Sequence, residues 1–193
     1  MLAFLCILLL PAAASAQSGN FIFQHDPEGR FTGGAPVGKL YQRYGMSPVA
    51  RSTVSFPTGE KAGTIVINTK ERRLYYVLGD GRAVRYGIGV GRDGFTWGGV
   101  QTVTDKREWP SWTPPSQMLQ RRPDLPRFMP GGPDNPLGAR AMYLGSSLYR
   151  IHGSNEPETI GEAVSSGCFR MTNSDVIDLY DRVKVGTKVI VLR

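Results

Sequence analysis

Hydrophobic positions along this chain fall into short β-type runs, with one helical stripe near the C-terminus. Gly63-Thr64-Ile65-Val66-Ile67-Asn68 is rich in β-branched residues; Leu74-Tyr75-Tyr76-Val77-Leu78 is a second run and Ala83 to Val90 a third. Such side chains suit the pleat of a half-buried strand. Gly79-Asp80-Gly81 separates the last two runs and supplies residues that tolerate positive φ, so it predicts a hairpin turn within an antiparallel meander. Ala141-Met142-Tyr143-Leu144 and Leu148-Tyr149-Arg150-Ile151 predict two more strands around Gly145-Ser146-Ser147. From 173 to 183 the period changes. Val176, Ile177, Leu179, Tyr180 and Val183 form one apolar stripe, and Thr172-x-x-Asp175 ahead of it resembles a capping box. A short amphipathic helix is expected there, then a turn at Gly186-Thr187 and a last strand over Lys188 to Leu192.

Three stretches depart from this pattern. Leu2 to Leu10 is almost wholly apolar, and Ala14-Ser15-Ala16 offers an A-x-A cleavage site, so residues 1–16 read as a signal peptide. The run is too short to span a bilayer, and no transmembrane anchor is expected. No Lys or Arg precedes it, which departs from the usual signal and leaves a buried N-terminal element as the alternative. Residues 17–52 lack sustained periodicity and are broken by Asp26-Pro27-Glu28-Gly29, Gly33-Gly34 and Ser47-Pro48, which predicts a flexible or surface-hugging arm. Residues 91–140 hold Trp97, Trp109, Trp112 and eight prolines from Pro110 to Pro136. That density argues against long regular elements and predicts a long loop, serving as a lid or cleft wall or as a plug over a sheet face. The remaining span, 53–193, is the expected catalytic domain.

Composition then narrows the chemistry. The 193 residues suffice for one domain with extensions, and 24 glycines with 14 prolines fit a turn-rich, mostly β fold. The net charge of +7 resides outside residues 1–16 and suits an anionic partner. Export, and with it a periplasmic location, argues against nucleic acid. Loss of Cys6 with the signal peptide leaves Cys168 as the only cysteine, which excludes an internal disulfide. A lone thiol in an oxidising compartment is either a partner-linking or a reactive one. No H-E-x-x-H or C-x-x-C pattern occurs, so neither metal nor cofactor is expected.

Ile151-His152-Gly153-Ser154-Asn155-Glu156-Pro157, followed by Ser165-Ser166-Gly167-Cys168-Phe169-Arg170-Met171, has the parts of a thiol acyltransferase. A thiol attacks as thiolate and needs a base or a positive field beside it. Of the two histidines, His25 lies among turn residues of the arm, whereas His152 closes a predicted strand. The intervening loop is long enough to return Cys168 to its side. Gly153 and Gly167 stand next to the two reactive residues. The amides of Gly167 and Cys168 are candidate oxyanion donors. Ser165 and Ser166 are candidates to orient the imidazole or cap the turn. Arg170 would share a strand face with Cys168 and either hold a substrate carboxylate or form a structural ion pair.

These residues resemble the catalytic signature of the L,D-transpeptidases of the YkuD or ErfK/YbiS type: a His-Gly, a spacer, then Ser-x-Gly-Cys-x-Arg or Asn. The resemblance extends over roughly 53–193. It includes the meander, Trp109-Pro110-Ser111-Trp112-Thr113-Pro114-Pro115, the stretch Pro130 to Gly138 and the tail Asn173 to Val185. Many members carry histidine where this chain has Ser166, so proton transfer would fall to His152 alone. The resemblance implies a sandwich of two packed sheets with a short helix after the cysteine. It implies a Cys168 thioester formed from a peptidoglycan tetrapeptide stem and transferred to a second stem in a 3→3 cross-link. Water or an outer-membrane protein or lipoprotein is the alternative acceptor. A peptidoglycan-binding module without catalysis is the non-enzyme alternative. A papain-like protease fits poorly, because there the cysteine usually precedes the histidine.

Overall fold

The structure is a computed structural model that describes residues 47–193. The signal-peptide assignment over 1–16, and the arm as far as residue 46, lie outside the described residues. Eleven strands follow one another as β1 (Ser52–Ser55), β2 (Ile65–Asn68), β3 (Arg73–Gly79), β4 (Arg82–Gly87), β5 (Val90–Gly91), β6 (Gly99–Glu108), β7 (Arg140–Leu144), β8 (Arg150–His152), β9 (Ala163–Ser165), β10 (Phe169–Arg170) and β11 (Lys188–Leu192). Helix α1 (Ser116–Arg121) lies between β6 and β7, and α2 (Asn173–Arg182) between β10 and β11.

Nine strands hydrogen-bond in the order β1-β4-β3-β2-β11-β6-β7-β8-β10, while β5 pairs with β9 separately. Strand β6 divides the nine. Its first part, Gly99 to Thr102, pairs with β11; its second, from Val103 to Glu108, pairs with β7 across a register shift between Val103 and Asp105. A strand that changes partner at such an irregularity can bend one sheet into two layers. One core joins the layers: Ile65, Ile67, Leu74 and Val189 pack in a single cluster with Met142, Leu144, Ile151 and Phe169.

Helix α2 closes that core with Val176 and Leu179, both fully buried. Thr172 caps it by accepting from the Asp175 amide at 3.3 Å. At its C-terminal end, Lys106 of β6 donates to the carbonyls of Tyr180 (2.7 Å) and Val183 (2.5 Å). A cation there satisfies orphan carbonyls and complements the helix dipole.

The region 91–140 is only partly the expected loop. Its first half contains β6, ten residues long, and α1 follows. The prolines begin at Pro110, so nothing interrupts a ladder before Trp109. From Trp109 to Ala139 the chain is irregular but fixed. Trp112 and Met129 form an antiparallel bridge. Buried Asn135 donates to Pro130 O (2.9 Å) and Pro110 O (3.2 Å) and accepts from the Leu137 amide (2.9 Å). Its side chain thereby supplies bonds that the prolines cannot.

Candidate active site

The site forms where β8 and β10 run side by side. Parallel neighbours need a long crossover. Here it leaves β8 at Gly153, makes a 3-10 turn over Pro157–Thr159, and passes through β9. Strand β9 is held by β5: the Val90 amide donates to Glu162 O (2.9 Å) and the Arg92 amide to Ser165 O (3.1 Å). The chain then turns at Ser166-Gly167 and enters β10, whose register pairs Phe169 with Ile151 and Arg170 with His152. One step earlier in that register, Cys168 stands opposite Arg150. Arg150, His152, Cys168 and Arg170 therefore lie on one face of this strand pair.

His152 is 5% exposed, and its Nδ1 lies 2.6 Å from Gly153 O. A carbonyl only accepts, so Nδ1 carries the proton and Nε2 keeps its lone pair. Burial, together with the positive charges of Arg170 and Arg150, pushes the imidazole down to about 3; the bond to Gly153 opposes this in part. The ring is thus neutral at physiological pH and offers Nε2 as a base.

Gly153 is required by close packing. A Cβ there would collide with Asn173 Oδ1 and lie 3.0 Å from Ala139 N. Asn173 Oδ1 accepts from the Ala139 amide at 2.8 Å, which ties the loop end and the start of α2 to the backbone beyond His152.

Cys168 is the free cysteine among the described residues and is partly exposed. Its Sγ lies 3.7 Å from Leu148 O. Burial of the sulfur pushes the thiol up, while Arg150 and, more weakly, Arg170 pull it down. The two arginines act oppositely on the two reactive groups: they favour a thiolate and disfavour an imidazolium. The resting pair is a neutral thiol and a neutral imidazole.

The turn before Cys168 is braced on several sides. Ser165 is buried; its Oγ donates to Cys168 O at 2.6 Å and accepts from the Gly167 amide at 3.1 Å. Ser165 therefore caps the turn. The Gly167 amide, an expected oxyanion donor, donates to Ser165 Oγ in this structure. Among the described residues no acceptor takes the Cys168 amide. Gly167 has φ +106°, and a Cβ there would lie 2.5 Å from Tyr149 Cε1. Trp97 Nε1 donates to Gly167 O at 2.8 Å, and its ring stacks on Tyr149 with centroids 4.5 Å apart. Ser166 is half-buried and makes no side-chain hydrogen bond among the described residues.

Arg170 does not face the site unaccompanied. Its Nη1 pairs with Glu156 Oε2 at 2.9 Å. Arg150, Tyr149 and Trp97 complete the site, and sequence reasoning did not assign them. Only the register of β8 against β10 puts Arg150 opposite the cysteine. Among the described residues no cluster of three His, Cys, Asp or Glu side chains could hold a metal ion, and no helix is long and apolar enough to cross a membrane.

Comparison with known proteins bears on this geometry. A family model described as the L,D-transpeptidase catalytic domain (YkuD) matches residues 62–191. The chain is 44% identical over 137 residues to the probable L,D-transpeptidase ErfK/SrfK of Escherichia coli, an overlap of 66% of this chain and 43% of that relative. It is 48% identical to a crystal structure from Brucella melitensis described as a probable carnitine operon oxidoreductase, with a TM-score of 0.52 and coverage of 79% of this chain and 98% of that one. The oxidoreductase description belongs to the Brucella protein. An L,D-transpeptidase structure from Mycobacterium smegmatis superposes with a TM-score of 0.54 at 18% identity, covering 67% of this chain and 58% of that one, and speaks to the fold alone. The chain spans less than half the length of the E. coli relatives it matches.

Proposed function

The chain belongs to the family of L,D-transpeptidase catalytic domains, and from that premise we propose that it is a peptidoglycan L,D-transpeptidase that forms 3→3 cross-links through a Cys168 thioester. The observation that carries this reading is His152, its Nδ1 2.6 Å from Gly153 O, on the strand paired with the one that Cys168 leads into. In this reading residues 53–193 are the catalytic domain, 1–16 direct export to the periplasm, and 17–52 form an arm ahead of the domain.

Nε2 of His152 takes the thiol proton as Sγ attacks the carbonyl carbon of the third residue of a tetrapeptide stem. The carbonyl oxygen becomes an oxyanion, which the Cys168 amide stabilises. With the Gly167 amide held by Ser165, Gly167 contributes backbone shape rather than a donor. The imidazolium then gives its proton to the nitrogen of the departing D-alanine, and a thioester remains on Cys168. Burial that keeps the ring neutral makes proton uptake from the thiol uphill and its return to the leaving nitrogen downhill, so the imidazolium exists only in passage around the tetrahedral intermediate. In the second half, the side-chain amine of another stem attacks the thioester and loses a proton to Nε2. The thiol leaves and regains its proton. No step requires a second imidazole at Ser166.

The test is a muropeptide digest read by mass spectrometry. Purified wall incubated with the protein gains 3→3 dimers, and Cys168→Ala abolishes the gain. Dimers formed equally by the Cys168→Ala variant would overturn the assignment. Tetrapeptide supplied alone, with an acceptor stem, or with an outer-membrane protein separates the acceptors by product mass. Tripeptide alone marks water as the acceptor, and a conjugate marks the protein. A module that only binds peptidoglycan gives no thioester mass on Cys168.

A further inference from the structure

Arg150 has a position and a lack of partners that the steps above do not use. It stands two residues before His152 on the same face of β8, and the β8–β10 register places it opposite Cys168. Its guanidinium lies over the ring of its own register partner Tyr143, 5.1 Å from the centroid. Among the described residues it forms no ion pair, and its Nε is buried without an acceptor. Arg170 also has an unpartnered Nε, but Glu156 already takes its Nη1. Arg140 and Arg182 likewise have carboxylates, from Glu108 and Asp178.

We infer that Arg150 receives the terminal carboxylate of the donor stem, next to the bond that is cut, and that Arg170 does not. The inference rests on the proposed function. A guanidinium presents a planar fork of donors that matches a carboxylate, and a buried donor without an acceptor favours a ligand that supplies one. The distances also agree. The leaving residue's carboxylate carbon lies within about 4 Å of the carbonyl under attack, because only a nitrogen and one Cα intervene. A cation on the residue opposite Cys168 therefore stands on the side of the site where that carboxylate would lie. Glu156 pairs with Arg170, whereas Arg150 has no carboxylate partner among the described residues.

Two measurements test this. The first is alkylation of Cys168 by anionic iodoacetate and by neutral iodoacetamide. Their rate ratio is read on each protein separately, so it is insensitive to partial loss of fold. Losing one charge-assisted contact corresponds to a fall of about 10-fold or more in that ratio for Arg150→Gln, with most of it restored by Arg150→Lys. Arg170→Gln changes the ratio by less than about 3-fold, since Glu156 already offsets that charge. The second is release of D-alanine from a tetrapeptide and from its C-terminal amide. Arg150→Gln lowers kcat/KM for the free acid on the order of 10- to 100-fold more than for the amide, whose smaller loss reflects the cation removed from beside the thiol. Equal losses on acid and amide, or an unchanged alkylation ratio, would overturn the inference. Wild-type protein that releases no D-alanine while the ratio still responds to Arg150→Gln would count against the transpeptidase reading and leave the anion site standing, so the two failures are distinguishable.

Discussion

Replacing Ser165 by alanine isolates the device that shapes the nucleophile turn. The hydroxyl makes two bonds, to Cys168 O at 2.6 Å and from the Gly167 amide at 3.1 Å. Alanine removes both without altering the backbone preference of a strand end. The Gly167 amide is buried, and a buried donor left without a partner costs about 1–3 kcal/mol. The Cys168 carbonyl belongs to a partly exposed residue, so water recovers some of its bond and the loss there is about 0.5–1.5 kcal/mol. The sum, about 1.5–4.5 kcal/mol, is a large share of a domain's net stability. Urea unfolding followed by tryptophan fluorescence measures it, because Trp97 is bonded to Gly167 O and reports on this turn. The midpoint should fall with an unchanged denaturant slope. Ser166→Ala serves as the control. Its side chain has no bond among the described residues, so the change should stay within about 0.5 kcal/mol. A loss below about 0.5 kcal/mol for Ser165→Ala, or equal losses for the two serines, would refute the argument that Ser165 holds the turn.

Two further outcomes follow from the same site. Burial and Arg170 hold His152 down to about 3, below its ordinary 6.5. Between those values the unfolded chain binds more protons than the folded one, so the contribution is full above about pH 6.5 and is lost as pH falls toward 3, at up to about 1.4 kcal/mol per unit. Urea midpoints taken against pH should therefore slope more steeply in the wild type than in His152→Gln, and parallel curves would contradict the buried neutral ring. Gly167→Ala forces an L side chain into φ +106° and against Tyr149 Cε1, which should cost about 1–3 kcal/mol in thermal or urea unfolding and slow thiol alkylation. An alanine variant as stable and as reactive as the wild type would show that the turn has no need of glycine.

The parts of this molecule legible in its sequence are those fixed by local chemistry. The runs over 63–68 and 74–78 became β2 and β3, and Gly79-Asp80-Gly81 turned the chain, with positive φ at all three residues. Thr172 capped α2 where the pattern placed it. Strand β1 was not legible: Ser52–Ser55 has one apolar residue, and its ladder to β4 supplies what its side chains do not. Strand β6 was masked by the prolines that begin just beyond it, and its facing polar residues are explained only by the two partners it serves.

The same division runs through the site. Cys168 and His152 announce themselves by scarcity and by flanking glycines, which are local properties. Choosing between Ser165 and Ser166, or between Arg150 and Arg170, requires knowing which side chain faces inward after a crossover. That is decided by pairing of β9 with β5 and of β10 with β8, contacts between residues far apart in sequence. A shift of one residue in the β8–β10 register would exchange the face presented by Arg170 and put Arg150 out of reach of the thiol. The strand pairs that hold this register therefore set the electrostatics of the nucleophile as much as the arginines themselves do. Gly89, whose amide and carbonyl exchange 2.9 Å bonds with Arg170 across the outer edge of β10, holds that strand from its other side.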